Sequence, residues 1–492
     1  MRNDTVPPMK NGMDFVVLGG GPAGYPAAFL AADFGYSVTL IDAAPGLGGT
    51  CLRCGCIPSK ALLHAVHTIE AAQTAAAFGV EFAPPTLHLD ELRAWKTSVV
   101  EKMTDGLNRL AAARKIRRIT GHAEFAAPHQ LHLSGADGET QTIDYSSLVL
   151  ATGSAPVIPA GFPANHPDIW TSTDAVELPE IPPRLLVLGG GAIGLELGLL
   201  YAGLGSRVTL VEMMPTLLSG TDRELLIPLL KRLRTRFDGL WTGTCVTDIE
   251  AAESGGFFVT LTTAAESAPR REHYDKILVA AGRRPALASL HPERAGHSLT
   301  DKGFLQPVPS PAPPVPRMAT VGDCASAPML AHKATHEARR LVAQWAAADQ
   351  RPGAETMNQE MTTARGTIPA VVYTNPEVAT CGWNPAQAKA ADIPHAIAKF
   401  HWAASGRAQA IGQPDGLTKW IYDPGTYQIL GAGIVGYGAG ELIGEAVLAI
   451  ESGATLRDVA RAIHPHPTLS ETWLESASLP FHPTHHIPRG LP

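Results

Sequence analysis

Two segments of the chain repeat one pattern, and this repeat limits the possible folds more than any other feature. Residues 15–42 read FVVLGGGPAGYPAAFLAADFGYSVTLID, and residues 185–212 read LLVLGGGAIGLELGLLYAGLGSRVTLVE. Each predicts a short apolar strand, a glycine turn, a helix rich in alanine, leucine and glycine, and a second strand that ends in an acid. Residues 145–153, YSSLVLATG, and 274–282, YDKILVAAG, also repeat one pattern. The chain therefore contains two related α/β units.

The glycines of both segments have the spacing G-x-G-x-x-G, which is typical of dinucleotide-binding loops. The first glycine allows a tight turn, the second lets the backbone approach a pyrophosphate, and the third lets helix and strand pack closely. An acid after the next strand binds ribose hydroxyls and repels a 2′-phosphate, which favours NAD over NADP at the second loop. A glycine-rich turn without a ligand does not account for two such copies. The predicted sites are Gly19, Gly21, Gly24 and Asp42, and Gly189, Gly191, Gly194 and Glu212.

A segment with three cysteines lies inside the first unit. Residues 48–60 read GGTCLRCGCIPSK, which places Lys60 one helical turn beyond Cys56. A disulfide between Cys51 and Cys56 would stabilise the fold by only about 2 kcal/mol, and in a cytosolic protein such a bond is more often redox-active than structural. A helix N-terminus and a nearby cation would make a thiol there a better nucleophile.

Two other interpretations of the cysteines stay open. A zinc site is one, although the spacing C-x-x-C-x-C matches none of the common zinc patterns. Buried thiols without chemistry are the other, but they leave the flanking glycine loops unexplained. The zinc ligands would be Cys51, Cys54, Cys56 and either His64 or His67.

Composition argues against several other classes of protein. A chain of 492 residues has room for roughly three domains. The net charge of −7 argues against a nucleic-acid-binding surface, and six cysteines are too few for a disulfide-held secreted scaffold. Residues 1–13 lack the apolar core of a secretory signal. The apolar run 185–205 contains Glu196 and a glycine loop, which fit a buried strand and helix better than a membrane span. We therefore expect a cytoplasmic protein.

The C-terminal part of the chain has a different pattern. Residues 307–316 predict an extended connector, followed by a strand at 319–322 and a helix at 330–347. From about residue 361, alternating and apolar runs predict an antiparallel sheet and two helices in a separate domain. The strands are predicted at 370–373, 418–422 and 429–435, and the helices at 439–452 and 456–463.

Several segments together resemble a known family. GGGPAG and GGTCLRCGCIPSK are followed by LATGSAP at 150–156, GGGAIGLELG at 189–198, AAGRRP at 280–285, TVGDCASAPMLAHKA at 320–334, IPAVVYTNPEVATCG at 368–382 and HPHPTLSE at 464–471. From about residue 14 to 476, the chain is similar to the flavin-dependent, class I pyridine nucleotide-disulfide oxidoreductases. PMLAHKA and HPTLSE resemble the dihydrolipoamide dehydrogenase branch most.

The resemblance implies an α/β fold with two Rossmann-like domains, which bind FAD and NAD, and a C-terminal α+β dimerisation domain. The first glycine loop would bind FAD and the second NAD, and the active unit would be a homodimer. The expected segments are a FAD domain with the redox-disulfide helix at 1–155, an NAD domain at 156–282, a central segment completing the FAD domain at 283–355, and an interface domain at 356–492.

The resemblance also implies roles for individual residues. Cys51 would exchange with a dithiol substrate, Cys56 would contact the flavin, and Lys60 would lie by the reactive flavin nitrogen. Lys60 would pair with Glu196, and Asp323 would hold the flavin ribityl chain. The further predicted cofactor contacts are Gly49, Thr50, Ala151, Thr152, Gly153, Ile193, Gly282, Gly322, Met329, Leu330, Ala331 and His332. No metal is predicted.

His466 would be the acid–base group, oriented by Glu471, and would reach the disulfide of the other subunit. Histidine suits this role because it titrates near working pH. A structural interpretation stays open beside it. Residues 468–471, TLSE, match a helix capping box, and His464 and His466 could belong to a proline-flanked turn.

The expected activity is oxidation of protein-bound dihydrolipoyl groups with reduction of NAD. Arg53 and Cys54 stand where the family usually has Asn and Val, and the tail ends in FHPTHHIPRGLP, unlike the usual ending. These departures leave three alternatives. The partner could be a lipoate carrier of glycine cleavage or sulfur oxidation, the substrate could be another disulfide or a metal ion, or the chain could be a flavin-binding redox sensor or structural subunit.

Overall fold

The computed structural model describes residues 14–135, 138–253, 255–263, 268–306 and 317–481. By its internal contacts the chain divides into two compact units. The first contains residues 1–62, 87–157 and 282–363, and the second contains residues 63–86, 158–281 and 364–492. The predicted connector at 307–316, the segment 1–13 and the tail from His482 lie outside the described residues. The boundaries of the four predicted segments stay a prediction.

A seven-stranded sheet forms the centre of the first unit. Its first five strands are parallel, and the last two extend it in antiparallel fashion. The three central parallel strands consist mainly of buried residues, as their apolar runs predict. Alanines of helices Gly24–Asp33 and Ala331–Ala348 pack on one face of this sheet. The strand order is Arg317–Thr320, Ser147–Leu150, Asp14–Leu18, Ser37–Asp42, Arg117–Ala127, Gln130–Gly135 and Thr140–Asp144.

A short antiparallel pair, Ser154–Pro156 with Arg283–Pro285, also belongs to the first unit. Its other helices are Gly49–Cys54, Leu89–Ala113 and Ala354–Thr363, with 3₁₀ turns at Ala288–Leu290, Pro292–Ala295 and Gly322–Cys324. Helix Cys56–Thr74 begins in the first unit and ends in the second, where the 3₁₀ turn Ala75–Phe78 follows it.

The second unit contains the repeated α/β motif. The apolar run at 185–205 forms the strand Arg184–Leu188 and the helix Ala192–Leu204, as predicted. Five parallel strands follow the order Gly239–Thr242, Arg207–Glu212, Arg184–Leu188, Lys276–Val279 and Ile169–Trp170. An antiparallel sheet contains Thr244–Ala251, Phe257–Thr263 and Arg270–Tyr274, and the further helices are Ser172–Glu177 and Arg223–Arg236.

The predicted C-terminal antiparallel sheet is confirmed, and it has five strands. Their order is Ala370–Val372, Glu377–Gly382, Ile429–Gly436, Leu417–Tyr422 and Ala396–His401. The helices around it are Pro385–Ala390, Gly406–Ala410, Ala439–Glu451, Leu456–Arg461 and Glu471–Ser478, with a 3₁₀ turn at Trp402–Ala404. Three fully buried tryptophans, Trp402, Trp420 and Trp473, belong to its core. Across the described residues, no helix combines the length and the apolar composition needed to cross a membrane.

A fully buried lysine links this sheet to helix Arg223–Arg236. Lys419 is 1% exposed, and its ammonium lies 2.6 Å from Asp222, the N-cap residue of that helix. Glu224 pairs with Lys419 as well and, at 3.0 Å, with Lys399 on the neighbouring strand. Because a buried charge is tolerated only when it is paired, this cluster fixes where the helix meets the sheet.

Replacing Lys419 by methionine should therefore destabilise the protein strongly. Removing one member of a buried ion pair leaves its carboxylates uncompensated, at a cost of about 3–5 kcal/mol. Lys399→Met is the matched control, because Lys399 is 41% exposed and binds the same Glu224. An exposed pair contributes at most about 1 kcal/mol. Thermal midpoints compare the two variants, and equal shifts would contradict the buried-pair argument.

The same cluster predicts a pH dependence. The hydrogen bond from Lys419 outweighs burial and lowers the pKa of Glu224. A carboxylate with a lowered pKa stabilises the fold above its unfolded pKa of about 4.3, and this contribution is lost as pH falls through the folded value. The difference in thermal midpoint between wild type and Lys419→Met should therefore shrink below about pH 4. A difference that grows on acidification would contradict this sign.

Candidate active site

The cysteine segment forms the beginnings of two consecutive helices. Helix Gly49–Cys54 contains Cys51 in its first turn, and helix Cys56–Thr74 begins at Cys56. Cys51 and Cys54 are half-buried and Cys56 is exposed, and all six cysteines of the chain are thiols in the described residues. Cys51 and Cys56 therefore both lie near the positive end of a helix.

Cys51 and Cys56 contact each other through their side chains. A hydrogen bond to Cys56, together with burial, raises the pKa of Cys51, while the charge of Lys60 acts in the opposite direction. Lys60 follows one turn later and donates to Ser59 Oγ at 3.4 Å. Tyr25 follows the first glycine loop. Burial raises the pKa of Tyr25, and the nearby Cys51 raises it further. The first unit therefore brings two thiols, a cation and a tyrosine together.

The first glycine of each loop makes the turn that the motif predicts. Gly19 has φ +102°, and a Cβ built there would lie 2.2 Å from the carbonyl oxygen of Ala151. Gly189 has φ +108°, and its Cβ would lie 2.4 Å from the carbonyl oxygen of Ala280. Any side chain would be strained and would clash with backbone at both positions, so the two loops have the same local construction.

The third glycine of each loop is closely packed, whereas the second borders open space, as the motif predicts. A Cβ on Gly24 would lie 1.6 Å, and one on Gly194 2.0 Å, from the carbonyl oxygen of the loop's first glycine, so each helix packs directly on its strand. A Cβ on Gly21 would meet nothing closer than Gly49 Cα at 3.7 Å, and at Gly191 no described atom lies within 4 Å. Bare backbone thus borders open space where a pyrophosphate would bind, which fits a dinucleotide in each loop.

The acid that follows each loop is held by the loop itself. Each carboxylate accepts hydrogen bonds from two backbone amides, one in the loop and one just beyond the acid. Each oxygen keeps a second lone pair for a ribose hydroxyl. Asp42 accepts from Gly20 and, at 2.7 Å, from Ala44; Glu212 accepts from Gly190 and Met214, both at 2.7 Å.

Asp323 belongs to a hydrogen-bonded chain that sequence reasoning missed. Its Oδ2 accepts from Ser154 Oγ at 2.6 Å, and Ser154 Oγ accepts from Arg283 Nε at 2.7 Å. Ser154 and Arg283 come from the short antiparallel strand pair. The other carboxylate oxygen can accept from a ligand hydroxyl. The hydroxyl of Thr152 is buried beside the Cys324 thiol.

A histidine–carboxylate pair lies in the second unit. His466 Nδ1 lies 2.9 Å from Glu471 Oε1, and the other oxygen of Glu471 accepts from the Thr468 amide at 2.8 Å. The pair and half of the predicted capping box therefore coexist, because each uses one oxygen. His466 is 75% exposed and can reach a substrate. Burial raises the pKa of Glu471, but the Thr468 amide and the His466 hydrogen bond outweigh it and lower the net value.

The remaining predicted residues are divided between the two units. Glu196 is buried in the second unit and accepts from the Tyr373 amide at 2.9 Å, while Lys60 belongs to the first; their pairing stays a prediction. Gly49, Thr50, Ala151, Gly153, Gly282, Gly322, Met329, Leu330, Ala331 and His332 lie in the first unit, and Ile193 lies in the second. Within the described ranges, no group of three or more His, Cys, Asp or Glu side chains is arranged to hold a metal.

Comparison with known proteins defines the class. Residues 13–338 match the pyridine nucleotide-disulphide oxidoreductase family, and residues 368–477 match the dimerisation domain of that family. The chain therefore belongs to the pyridine nucleotide-disulphide oxidoreductases. Members of the family use FAD and NAD(H), so the predicted cofactors are confirmed.

Curated relatives and solved structures agree with this class. A dihydrolipoyl dehydrogenase from Vibrio cholerae is 40% identical over 458 residues, with 93% of each chain covered. One from Thermus scotoductus is 42% identical over 465 residues, covering 94% of this chain and 96% of its own. The HOCl-induced flavoprotein disulfide reductase RclA from Escherichia coli superposes with a TM-score of 0.81 at 25% identity, covering 96% of this chain and all of its own.

Proposed function

We propose that this protein is a dihydrolipoyl dehydrogenase, which oxidises protein-bound dihydrolipoyl groups to lipoyl groups and reduces NAD. The contact between the Cys51 and Cys56 thiols, in the unit that contains the first dinucleotide loop, carries the proposal. Relatives of that name, 40% and 42% identical over more than nine-tenths of both chains, support it.

The two cysteines act in sequence. In the oxidised protein, a substrate thiolate attacks Cys51 Sγ, the Cys51–Cys56 bond breaks, and Cys56 leaves as a thiolate. The second substrate thiolate attacks the substrate sulfur of the mixed disulfide, and Cys51 leaves as a thiolate. The substrate has then become a disulfide and the protein a dithiol. FAD and NAD, when bound at the two glycine loops, would supply the route by which the electron pair leaves the dithiol.

His466 supplies the proton transfer in this proposal. Glu471 accepts a hydrogen bond from the N–H at Nδ1 of His466. This bond holds the imidazole in the tautomer in which Nε2 can accept a proton. Nε2 takes the proton of the first substrate thiol, so that a thiolate attacks, and releases it to solvent before it takes the proton of the second thiol. His466 would act on the disulfide of the other subunit of a homodimer, which the match to a dimerisation domain supports. We also propose that the dihydrolipoyl group belongs to a lipoyl domain of a carrier protein and that the reaction takes place in the cytoplasm.

Asp323 holds the flavin ribityl chain in this proposal, and Ser154 positions Asp323. Ser154→Ala removes a hydrogen bond to a carboxylate, which is worth about 1.5–3 kcal/mol. Because Asp323 is then less firmly positioned, part of this free energy is lost from FAD binding, and the dissociation constant for FAD should rise several-fold. Ser134→Ala, on the exposed side of strand Gln130–Gly135, is the matched control. Flavin fluorescence during titration of the apoprotein measures both, and equal affinities in the two variants would contradict the role of Ser154.

The decisive experiment is the rate of NAD reduction by dihydrolipoamide with the purified flavoprotein. Fast turnover supports the proposal, and rates with different lipoylated carriers then identify the partner. A protein whose flavin is reduced by NADH but which does not react with dihydrolipoamide would overturn it. Activity with glutathione disulfide in that case would assign another disulfide as the substrate.

A further inference from the structure

The loop 462–470 contains two histidines in opposite environments. It connects helix Leu456–Arg461 to helix Glu471–Ser478. His466 is 75% exposed, whereas the side chain of His464 is 7% exposed. The proposed reaction uses His466 and leaves His464 without a role.

Both ring nitrogens of His464 face groups that accept hydrogen bonds. Nε2 lies 2.8 Å from Glu445 Oε1, and Nδ1 lies 3.3 Å from the carbonyl oxygen of Ala462. A neutral imidazole has one N–H and can donate to only one of them, whereas an imidazolium donates to both. The shorter contact, between Nε2 and the Glu445 carboxylate, is therefore the main attachment of the ring.

The charge of His464 acts on the same carboxylate that orients His466. Glu471 accepts from the Thr468 amide and from His466, and the charges of His466 and His464 both favour its ionised form. Thr468 Oγ1 also donates to the Pro465 carbonyl at 2.7 Å, which ties the two halves of the loop together. The loop is thus anchored by two histidine–glutamate pairs, one part-buried and one exposed.

We propose that His464, through its ion pair with Glu445, is a positioning residue that holds the His466–Glu471 pair in its reactive arrangement. The inference rests on the function proposed above and adds a residue to its acid–base machinery. His464 fixes the loop to helix Ala439–Glu451 and adds positive charge beside Glu471. An ionised Glu471 keeps the proton on Nδ1 of His466 and leaves Nε2 ready to accept one.

The charged groups around this pair come from three elements. Helix Ala439–Glu451 contributes Glu445, helix Glu471–Ser478 contributes Glu471, and the loop contributes His464 and His466. At the end of the preceding helix, Arg461 pairs with Asp458 at 2.6 Å instead. Since His464 lies near enough for its charge to act on the Glu471 carboxylate, its removal should move the acid limb of the rate profile to higher pH.

The test compares His464→Gln with His395→Gln. His395 is a matched control, because its Nδ1, like that of His464, faces the carbonyl oxygen two residues before it; the distance to Ile393 is 2.9 Å. We expect His464→Gln to lower kcat for dihydrolipoamide oxidation on the order of tenfold. The acid limb of its profile, followed over roughly pH 5 to 8, should move upward. Reduction of ferricyanide by NADH, which does not use His466, should stay unchanged in both variants.

The outcomes separate the inference from the proposed function. Wild-type protein that does not oxidise dihydrolipoamide overturns both. Active wild type with an unmoved pH profile in folded His464→Gln overturns the inference alone. If His464→Gln does not fold, Glu445→Gln takes its place, because it keeps the shape of the side chain and removes its charge. It should lower kcat while ferricyanide reduction is retained, and an unchanged kcat overturns the inference.

Discussion

Cys56→Ser is expected to abolish dihydrolipoamide oxidation and to leave a yellow, folded protein. Cys56 is half of the thiol pair, and serine can neither form a disulfide with Cys51 nor leave as a thiolate. Loss of a covalent step of this kind lowers kcat by at least about a thousandfold. The NAD reduction rate measures the loss, and the flavin absorbance shows that the cofactor is retained.

Cys54→Ser is the matched control for that experiment. Cys54 ends helix Gly49–Cys54, three residues after Cys51, and the proposed exchange does not use it. The control should keep near wild-type turnover. The number of free thiols should increase by one dithiol when NADH is added to wild type or to Cys54→Ser, but not when it is added to Cys56→Ser. Full activity of Cys56→Ser would show that the two sulfurs do not form the reacting pair.

His466→Gln should produce the second large effect. Glutamine keeps a polar side chain but cannot take the proton of the dithiol, and loss of a general base typically costs about 10²- to 10⁴-fold in rate. The rate of dihydrolipoamide oxidation should fall. The rate of flavin reduction by NADH should not change, because that step requires no proton transfer at His466. Stopped-flow measurement of the two half-reactions separates these steps.

His401→Gln provides the comparison for His466→Gln. His401 is exposed at the end of strand Ala396–His401 and belongs to the same unit. It should leave both half-reactions at wild-type rates. If His466→Gln and His401→Gln behave alike, the pair formed by His466 and Glu471 is a helix cap and takes no part in catalysis.

The glycine loops could be predicted in detail because their requirements are local. A positive φ at Gly19 or Gly189, and the close carbonyl contact of Gly24 or Gly194, depend on a few neighbouring residues. The spacing in the sequence therefore carries most of the information. The acid that follows each loop could be predicted for the same reason, because each carboxylate binds amides of its own loop.

Other parts of the site depend on long-range contacts that the sequence does not display. Ser154 and Arg283 are 129 positions apart and meet only because their two short strands pair. The sequence also predicts the strand that contains Lys419, but not that the residue is fully buried against Asp222. The same holds for His464. The prolines beside it predict a turn, but the sequence does not show that Glu445 contacts its ring in the folded chain.

The attachment of Glu212 to its own loop has a consequence for coenzyme engineering. In the proposed NAD site the carboxylate would repel a 2′-phosphate, and it is also the acceptor for the amides of Gly190 and Met214. A substitution chosen to admit NADP would leave both amides without their acceptor, and the loop that must receive the pyrophosphate would lose its shape. If Glu212 selects NAD as proposed, coenzyme preference and loop architecture depend on one side chain. Conversion to NADP use requires a second residue that restores the lost acceptor.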